Sequence, residues 1–334
     1  MNVARRALVT GATGGLGLGL VPALLAEGYR VRATGRDPVV LERLKAMGAE
    51  TAAADLTDRA TAATLCADVD VVFHAAALSS PWGPDAAFER INIEATRRLL
   101  SAARGAGCDG FIFVSSPSIY AAPRNRLNLT ESSAPWEPPM NAYARTKLVA
   151  ERLVLGANGP TIRTVAIRPR AVVGPDDTVL LPRLLRVARR GRFPLLNDGK
   201  ALVELTDVRD AVDALILADR HRVAAGGQAI NISGGRPVAI RDLVAALGAV
   251  LGAVLGHEIR FRPVPVGLAM KAAGAMEAVC RVLPGRPEPP VTRYSLAMLA
   301  FSQTFDLSLA RSLLGYEPRH DPLETARAAA AALR

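Results

Sequence analysis

The chain has 334 residues, half of them hydrophobic, with a formal charge of +10 and a pI of about 10.2. That length buries a sizeable core, and no apolar run is long enough to span a bilayer. The arginines are dispersed without the aromatic-interleaved stripe of a nucleic-acid binder, so the cluster Arg186, Arg189, Arg190 and Arg192 reads as solvated surface and no specific nucleic acid is expected. Cys66, Cys108 and Cys280 are isolated, which suits a reducing compartment. The four histidines lack metal-ligand spacing, so no metal is expected. The N-terminus runs into a strand without a signal-like segment, and a cytoplasmic location is the expectation.

Residues 7–10 read as a short buried strand. Glycines follow at 11, 14 and 17, and Leu18, Val21, Leu24 and Leu25 then recur at helical spacing. Strand, glycine turn and helix in that order form a dinucleotide-binding fingerprint. Gly11 permits the tight turn, Gly14 lets a pyrophosphate approach the backbone, and Gly17 lets helix and strand pack closely. The helix N-terminus offers free N–H groups and a positive dipole end to the phosphates.

A second strand, 29–34, ends in Gly35, Arg36 and Asp37. An NAD site usually places an acid here for the ribose 2′-hydroxyl, whereas arginine suits the 2′-phosphate of NADP. Arg36 therefore predicts NADP(H), with NAD(H) as the alternative. Asp37 reads as the N-cap of a helix over 39–47. A third strand over 50–54 leads to Asp55, which sits beside the adenine or caps the next helix. The fourth strand, 69–75, ends in Ala75, Ala76 and Ala77, small enough for a cofactor to lie against the backbone. The shaped loop 78–84 holds Trp82, a core anchor or a substrate wall. A helix over 88–104 contains Asn92, a mediocre helix former suited to a hydrogen-bonding role. A fifth strand, 111–114, ends in Ser115 and Ser116. Proline-rich loop occupies 117–139, a helix runs over 141–155, and a sixth strand over 162–168 is closed by Pro169.

This alternation predicts an α/β fold with a doubly wound parallel sheet of the Rossmann type. Beyond Gly174 and Pro175 the alternation loosens. Helices are expected over 180–190, 207–218, 240–255 and 306–314, and from 322 onward. Strands are expected over 202–205 and 229–232, with extended chain over 257–264. An apolar helical stretch over 265–283, with Leu268 and Met276 as markers, precedes a stiff proline loop at 284–290. The expected division is a dinucleotide-binding unit over 1–175, with elements returning from 201–232 and 291–315. A smaller C-terminal substrate-binding cap is expected mainly from 176–334, over the carboxyl ends of the strands.

Tyr143 and Lys147 stand one helical turn apart on a single face. A neighbouring ammonium stabilises phenolate, so such a tyrosine can exchange a proton with a carbinol or carbonyl oxygen. Ser116, at a strand end, is the candidate to hold the same oxygen. The spacing alone is common and also suits an exposed amphipathic helix.

Together the motifs resemble an extended short-chain dehydrogenase/reductase of the epimerase/dehydratase superfamily over nearly the whole chain. They are Thr10-Gly-Ala-Thr-Gly-Gly-Leu-Gly17, Asp55-Leu56, His74-Ala-Ala-Ala77, Asn92, Val114-Ser-Ser-Pro-Ser-Ile-Tyr120, Tyr143-Ala-Arg-Thr-Lys147, Arg168-Pro-Arg-Ala-Val-Val-Gly-Pro175 and a closing segment at 305–318. The resemblance implies Tyr143 as proton donor or acceptor, Lys147 at the nicotinamide ribose depressing the tyrosine pKa, and Ser116 positioning the reacting oxygen. It implies cofactor contacts from Gly11, Thr13, Gly14, Gly15, Leu16, Gly17, Arg36, Asp55, Leu56, Ala75, Ala76, Ala77, Asn92, Ser115, Tyr143, Lys147, Pro169 and Val172. Ser79, Trp82 and Ser118 are the candidates for substrate contact.

Nucleotide-sugar members usually carry Asn where Ala171 stands and often Arg where Val203 aligns. Dehydratases want acids where Pro117 and Ser118 stand. These departures favour the 3β-hydroxysteroid dehydrogenase-like branch, which includes 2-alkyl-3-oxoalkanoate reductases. An oxidoreductase acting on a secondary alcohol or ketone of a small hydrophobic substrate is expected, with 265–283 suited either to peripheral membrane contact or to an ordinary core helix of the cap. A homodimer is expected by family analogy. The alternatives are a nucleotide-sugar epimerase or dehydratase with bound NAD and a non-catalytic nucleotide sensor.

Overall fold

Fifteen strands are formed among the residues that the computed structural model describes, which are 4–177, 181, 182, 185, 189, 191–257 and 260–332. In chain order the first seven are β1 (Arg6–Thr10), β2 (Arg30–Gly35), β3 (Glu50–Ala53), β4 (Val71–His74), β5 (Gly110–Val114), β6 (Arg126–Leu129) and β7 (Arg163–Pro169). They continue as β8 (Val172–Val173), β9 (Arg192–Leu196), β10 (Leu202–Val203), β11 (Thr206–Asp207) and β12 (Ala229–Ile232). The last three are β13 (Val238–Ala239), β14 (Arg260–Val264) and β15 (Gln303–Phe305). Most of the helix expected over 180–190, with Arg186 and Arg190, lies outside the described residues.

The central sheet is parallel, in the order β12-β7-β5-β4-β1-β2-β3. Both faces are covered, because alternate residues of each strand enter different cores. Val9, Phe73, Ile112 and Val165 pack with Leu20, Leu24 and Leu215 from the helices Gly15–Ala26 and Val208–Arg220. Leu8, Val72, Phe111 and Phe113 pack on the other side with Leu99 and Val154. Strand order reverses between β1 and β4, and ligands of such sheets bind outside the carboxyl ends of the strands at that point. The chain there carries the glycine turn and Ala75-Ala76.

A second sheet runs β13-β10-β15-β6. Its neighbourhood has its own core, in which Val203, Leu205, Phe193, Ile240, Leu243 and Leu247 meet Ala326 and Ala330. Helix Val266–Val282 packs with helix Arg293–Ala300 through Ala273, Met270, Met276 and Leu296. Leu268 is 65% exposed on the outer face. Met276, expected beside it, turns into this core instead. No helix of the described residues is long and apolar enough to cross a membrane.

Several elements differ from expectation. The stretch 117–139 is not all loop: Pro117–Tyr120 forms a 3-10 turn and β6 pairs with β15 in the second sheet. Polar Arg126 and Asn128 conceal that strand from a hydrophobicity pattern. The helix expected over 88–104 begins at Asp85, passes through a π-helical turn at Glu89–Glu94 and continues as Ala95–Gly105. The strand at 202 stops at Val203, since Glu204 turns its buried carboxylate to Ser233 and the Phe305 N–H. Helix Arg293–Ala300 and β15 were not expected as such.

Candidate active site

Backbone contacts make the glycines of the turn necessary. Gly11 has φ of +69°, and a Cβ there would lie 2.7 Å from the Ala76 nitrogen. A Cβ on Gly17 would lie 2.3 Å from the Gly11 carbonyl oxygen. At Gly15 the same position is 2.6 Å from the Asp176 carbonyl oxygen, so this glycine also admits the segment after β8. Gly14 is the N-cap of helix Gly15–Ala26, and its Cβ position meets only the Gly11 oxygen, at 3.4 Å. The helix has no side-chain cap and no acid in its first turn, leaving its N–H groups to an anion. Leu16 points the other way, against the core. This cradle fits a dinucleotide pyrophosphate.

At the tip of β2, Thr13 fills the space beside Gly35, whose Cβ position is 2.4 Å from Thr13 Cγ2. An acidic side chain at 35 has no room. Asp37 is committed as an N-cap, accepting from the Val39 and Val40 N–H groups at 3.0 and 3.2 Å. Asp55 accepts from the Thr57 N–H at 2.8 Å, and Asp58, not Asp55, caps the next helix. Those Thr57 hydrogen bonds hold the Asp55 carboxyl below the usual range, helped by the charges of Arg90 and Arg36. Arg36 and Arg90 are both exposed, so two cations face the acid at the place where a ribose 2′-substituent is expected. Leu56 packs against the core beneath.

A directional hydrogen-bond chain ties this cofactor side to the helix Ala142–Leu155. Asn92 carbonyl oxygen can only accept, so Thr96 Oγ1 donates to it, at 2.7 Å. Thr96 Oγ1 then accepts from His74 Nε2–H at 2.9 Å, which leaves His74 Nδ1 to accept from Thr10 Oγ1 at 2.7 Å. Thr10 Oγ1 in turn accepts from the Ala76 N–H at 3.3 Å. Burial, reinforced by the Lys147 charge, lowers the His74 pKa to about 3, so the ring is neutral as this tautomer requires. The Asn92 side chain, set by the π-helical turn, accepts from Leu78 N–H at 2.8 Å and donates to Thr146 Oγ1 at 3.0 Å. Thr146 precedes Lys147. Sequence reasoning found Asn92 but missed Thr10, His74, Thr96 and Thr146. The available signal was Thr10 and His74, polar residues at the ends of two apolar strands and paired in register.

The Ser116 and Ser79 side chains both act on the Tyr143 phenol, which brings together three residues far apart in sequence. Burial pushes the phenol pKa up, and those two hydroxyls counter it only in part. Ser116 Oγ also accepts from the Ser118 N–H at 3.1 Å. Lys147 donates to the Val114 carbonyl at 2.5 Å and lies 4.1 Å from the centre of the Phe113 ring. Its burial lowers the ammonium pKa to about 7, partly offset by Glu151 one turn on. The Lys147 ammonium is thus directed at β5. Glu151 is held by Arg168 of β7 through bonds of 2.7 and 2.5 Å.

Trp82 is neither a core anchor nor buried. Its indole N–H donates to the Arg286 carbonyl at 3.0 Å, and Arg281 lies 5.4 Å above its ring. The loop bearing Ser79 is thus attached to the end of helix Val266–Val282. Ser115 and Ser118 are buried, with hydroxyls that lack partners among the described residues. Pro169 ends β7, and Val172 pairs with Thr206. Ala171 has φ of +41°, a conformation that suits Asn or Gly. Val203 is buried in the second core and offers nothing to a diphosphate.

Residues 7–233 match the model of the NAD dependent epimerase/dehydratase family. The chain belongs to this family. It is an enzyme of the family's NAD-dependent oxidoreductase and epimerase type. A relative from Stigmatella aurantiaca, a 4-hydroxy-2-methyl-3-oxo-4-farnesyl-3,4-dihydroquinoline-1-oxide ketoreductase, is 35% identical over 94% of this chain and 92% of its own. The 2-alkyl-3-oxoalkanoate reductase of Stenotrophomonas maltophilia (strain K279a) is 34% identical over 93% and 94%. Among solved structures, MoeE5 in complex with UDP-glucose and NAD superposes with a TM-score of 0.73 and is 26% identical, covering 97% of this chain and 98% of that one. These family members share the Rossmann fold.

Proposed function

We propose that this family member is an NADP(H)-preferring reductase that interconverts a ketone and a secondary alcohol on a hydrophobic substrate, a 3-oxo acid or a sterol-like molecule. The observation that carries this reading is that Ser116 and Ser79 both act on the Tyr143 phenol, which stands one helical turn from the buried Lys147. When bound, the nicotinamide supplies or accepts the hydride. Burial keeps Tyr143 protonated at neutral pH, the form that donates to a carbonyl oxygen. In this reading Ser116 and Ser79 hydrogen-bond the same oxygen and orient it. The relatives named as ketoreductase and oxoalkanoate reductase support this chemistry.

NADPH oxidation against a panel of 3-oxo acids and sterol ketones tests the reading. Tyr143→Phe should lower turnover on the order of a thousandfold while NADPH binding persists. Conversion of a UDP-sugar without net change in NADPH would instead establish the epimerase reading. The crowded Gly35 and the two cations at Asp55 support NADP. Arg36→Ala and Arg90→Ala should each weaken NADPH binding by roughly tenfold or more and spare NADH. Equal losses for the two dinucleotides would overturn that preference.

A further inference from the structure

Two arginines flank Pro169, and their surroundings are opposite. Arg168 is matched by a carboxylate, through two hydrogen bonds to Glu151. Among the described residues Arg170 has no such match. Its Nη1 donates to the Met298 sulfur, at 3.5 Å, beneath helix Arg293–Ala300. Its Nε is fully enclosed and has no hydrogen-bond partner among the described residues. Glu204 and Tyr294 are the groups that act favourably on its charge, yet burial outweighs them and lowers its pKa. The Glu204 carboxylate is already occupied by the Ser233 hydroxyl and the Phe305 N–H. A half-buried guanidinium with an enclosed Nε and no hydrogen-bonded anion is unfavourable, so a ligand that supplies one is bound with gain.

The register of the sheet brings the Arg170 backbone to the same end of the sheet as Ser116. Val114 of β5 pairs with Ile167 of β7, and the Ser115 N–H donates to the Ile167 carbonyl at 2.7 Å. Two to three residues further on, β5 delivers Ser116 and Pro117 while β7 delivers Pro169 and Arg170 to the same end of the sheet. The turn that follows Ser116 carries Ser118, whose enclosed hydroxyl is also without a partner among the described residues.

We infer that Arg170 is the counter-charge for a carboxylate on the substrate. The inference deepens the ketoreductase reading, and rests on it, by assigning the substrate to the oxo-acid class. Arg170 binds and positions the acid group, and Tyr143 remains the residue that moves the proton. The planar guanidinium matches a carboxylate with two parallel hydrogen bonds, which a lysine cannot reproduce.

The test compares 3-hydroxydecanoate with its methyl ester, with NADP⁺ as oxidant, in wild type, Arg170→Met and Arg170→Lys. Wild type should favour the acid over the ester in kcat/KM. Arg170→Met should collapse that preference by about a hundredfold, mainly through KM for the acid, and Arg170→Lys should restore part of it. Parallel calorimetric titration of both compounds onto the NADP⁺-loaded protein reads the same preference without turnover. If wild type turns over neither compound, the ketoreductase reading fails, while tighter acid binding lost in Arg170→Met still supports the counter-charge. Acid and ester behaving alike in wild type, or declining together in Arg170→Met, would overturn it.

Discussion

Two regions at the carboxyl ends of the central strands differ in how their polar groups are partnered. On the cofactor side, Ala76, Thr10, His74, Thr96, Asn92 and Thr146 form an unbroken donor-to-acceptor series in which each group meets its complement. At the carboxyl ends of β5 and β7, Ser115, Ser118 and Arg170 present buried polar atoms that the described residues leave unmatched, and Ala171 holds a left-handed backbone. The first region has its polar groups paired before anything binds. The second keeps unmet hydrogen-bonding capacity where selectivity is decided, because a ligand that matches it gains what the free protein forgoes.

Four substitutions probe that contrast. Arg168→Met should cost about 3–5 kcal/mol in denaturant unfolding, because it strands the buried Glu151 carboxylate. Arg170→Met, two positions away, should cost far less, having no carboxylate to strand. Equal losses would erase the distinction between the two sides. His74→Leu should cost about 2 kcal/mol at pH 7, by leaving Thr10 and Thr96 without their ring partners. Here pH supplies a second reading. The folded-state pKa of His74 is lowered to about 3 from 6.5, so between those values the unfolded chain binds more protons. Wild-type stability therefore falls as pH drops from 6.5 towards 3, and the gap to His74→Leu should narrow over that window. A gap independent of pH would show that His74 titrates freely. The smallest effect is a gain: Ala171→Gly should stabilise by about 1 kcal/mol by relieving φ of +41°.

The central sheet was legible because its strands are apolar runs punctuated by glycine and alanine, and the glycine turn announces its ligand class through spacing alone. The Tyr143 and Lys147 pair was legible through helical periodicity. What escaped were features that depend on assembly. Strand β6 is half polar and is recognisable only beside β15. The roles of Thr10 and His74 exist because adjacent parallel strands place them side by side. The isolation of Arg170 is a property of what surrounds it, and sequence shows Arg168 and Arg170 as equivalent. The direction of the Lys147 ammonium was likewise set by Val114 and Phe113, not by its spacing from Tyr143.

The π-helical turn at Glu89–Glu94 has a consequence for helical phase. A π turn closes its hydrogen bonds one residue later than an α turn, so it houses an extra residue without lengthening the helix proportionately. The segments Asp85–Phe88 and Ala95–Gly105 are therefore rotated relative to one another by roughly the 100° that one residue occupies in a regular helix. Thr96 and Leu99 face inward on the far segment, Phe88 does so on the near one, and Asn92 is the residue at the change of phase. Deleting one residue from the turn would restore a continuous helix and swing the Asn92 amide away from Leu78 and Thr146, uncoupling the glycine turn from the helix that carries Tyr143.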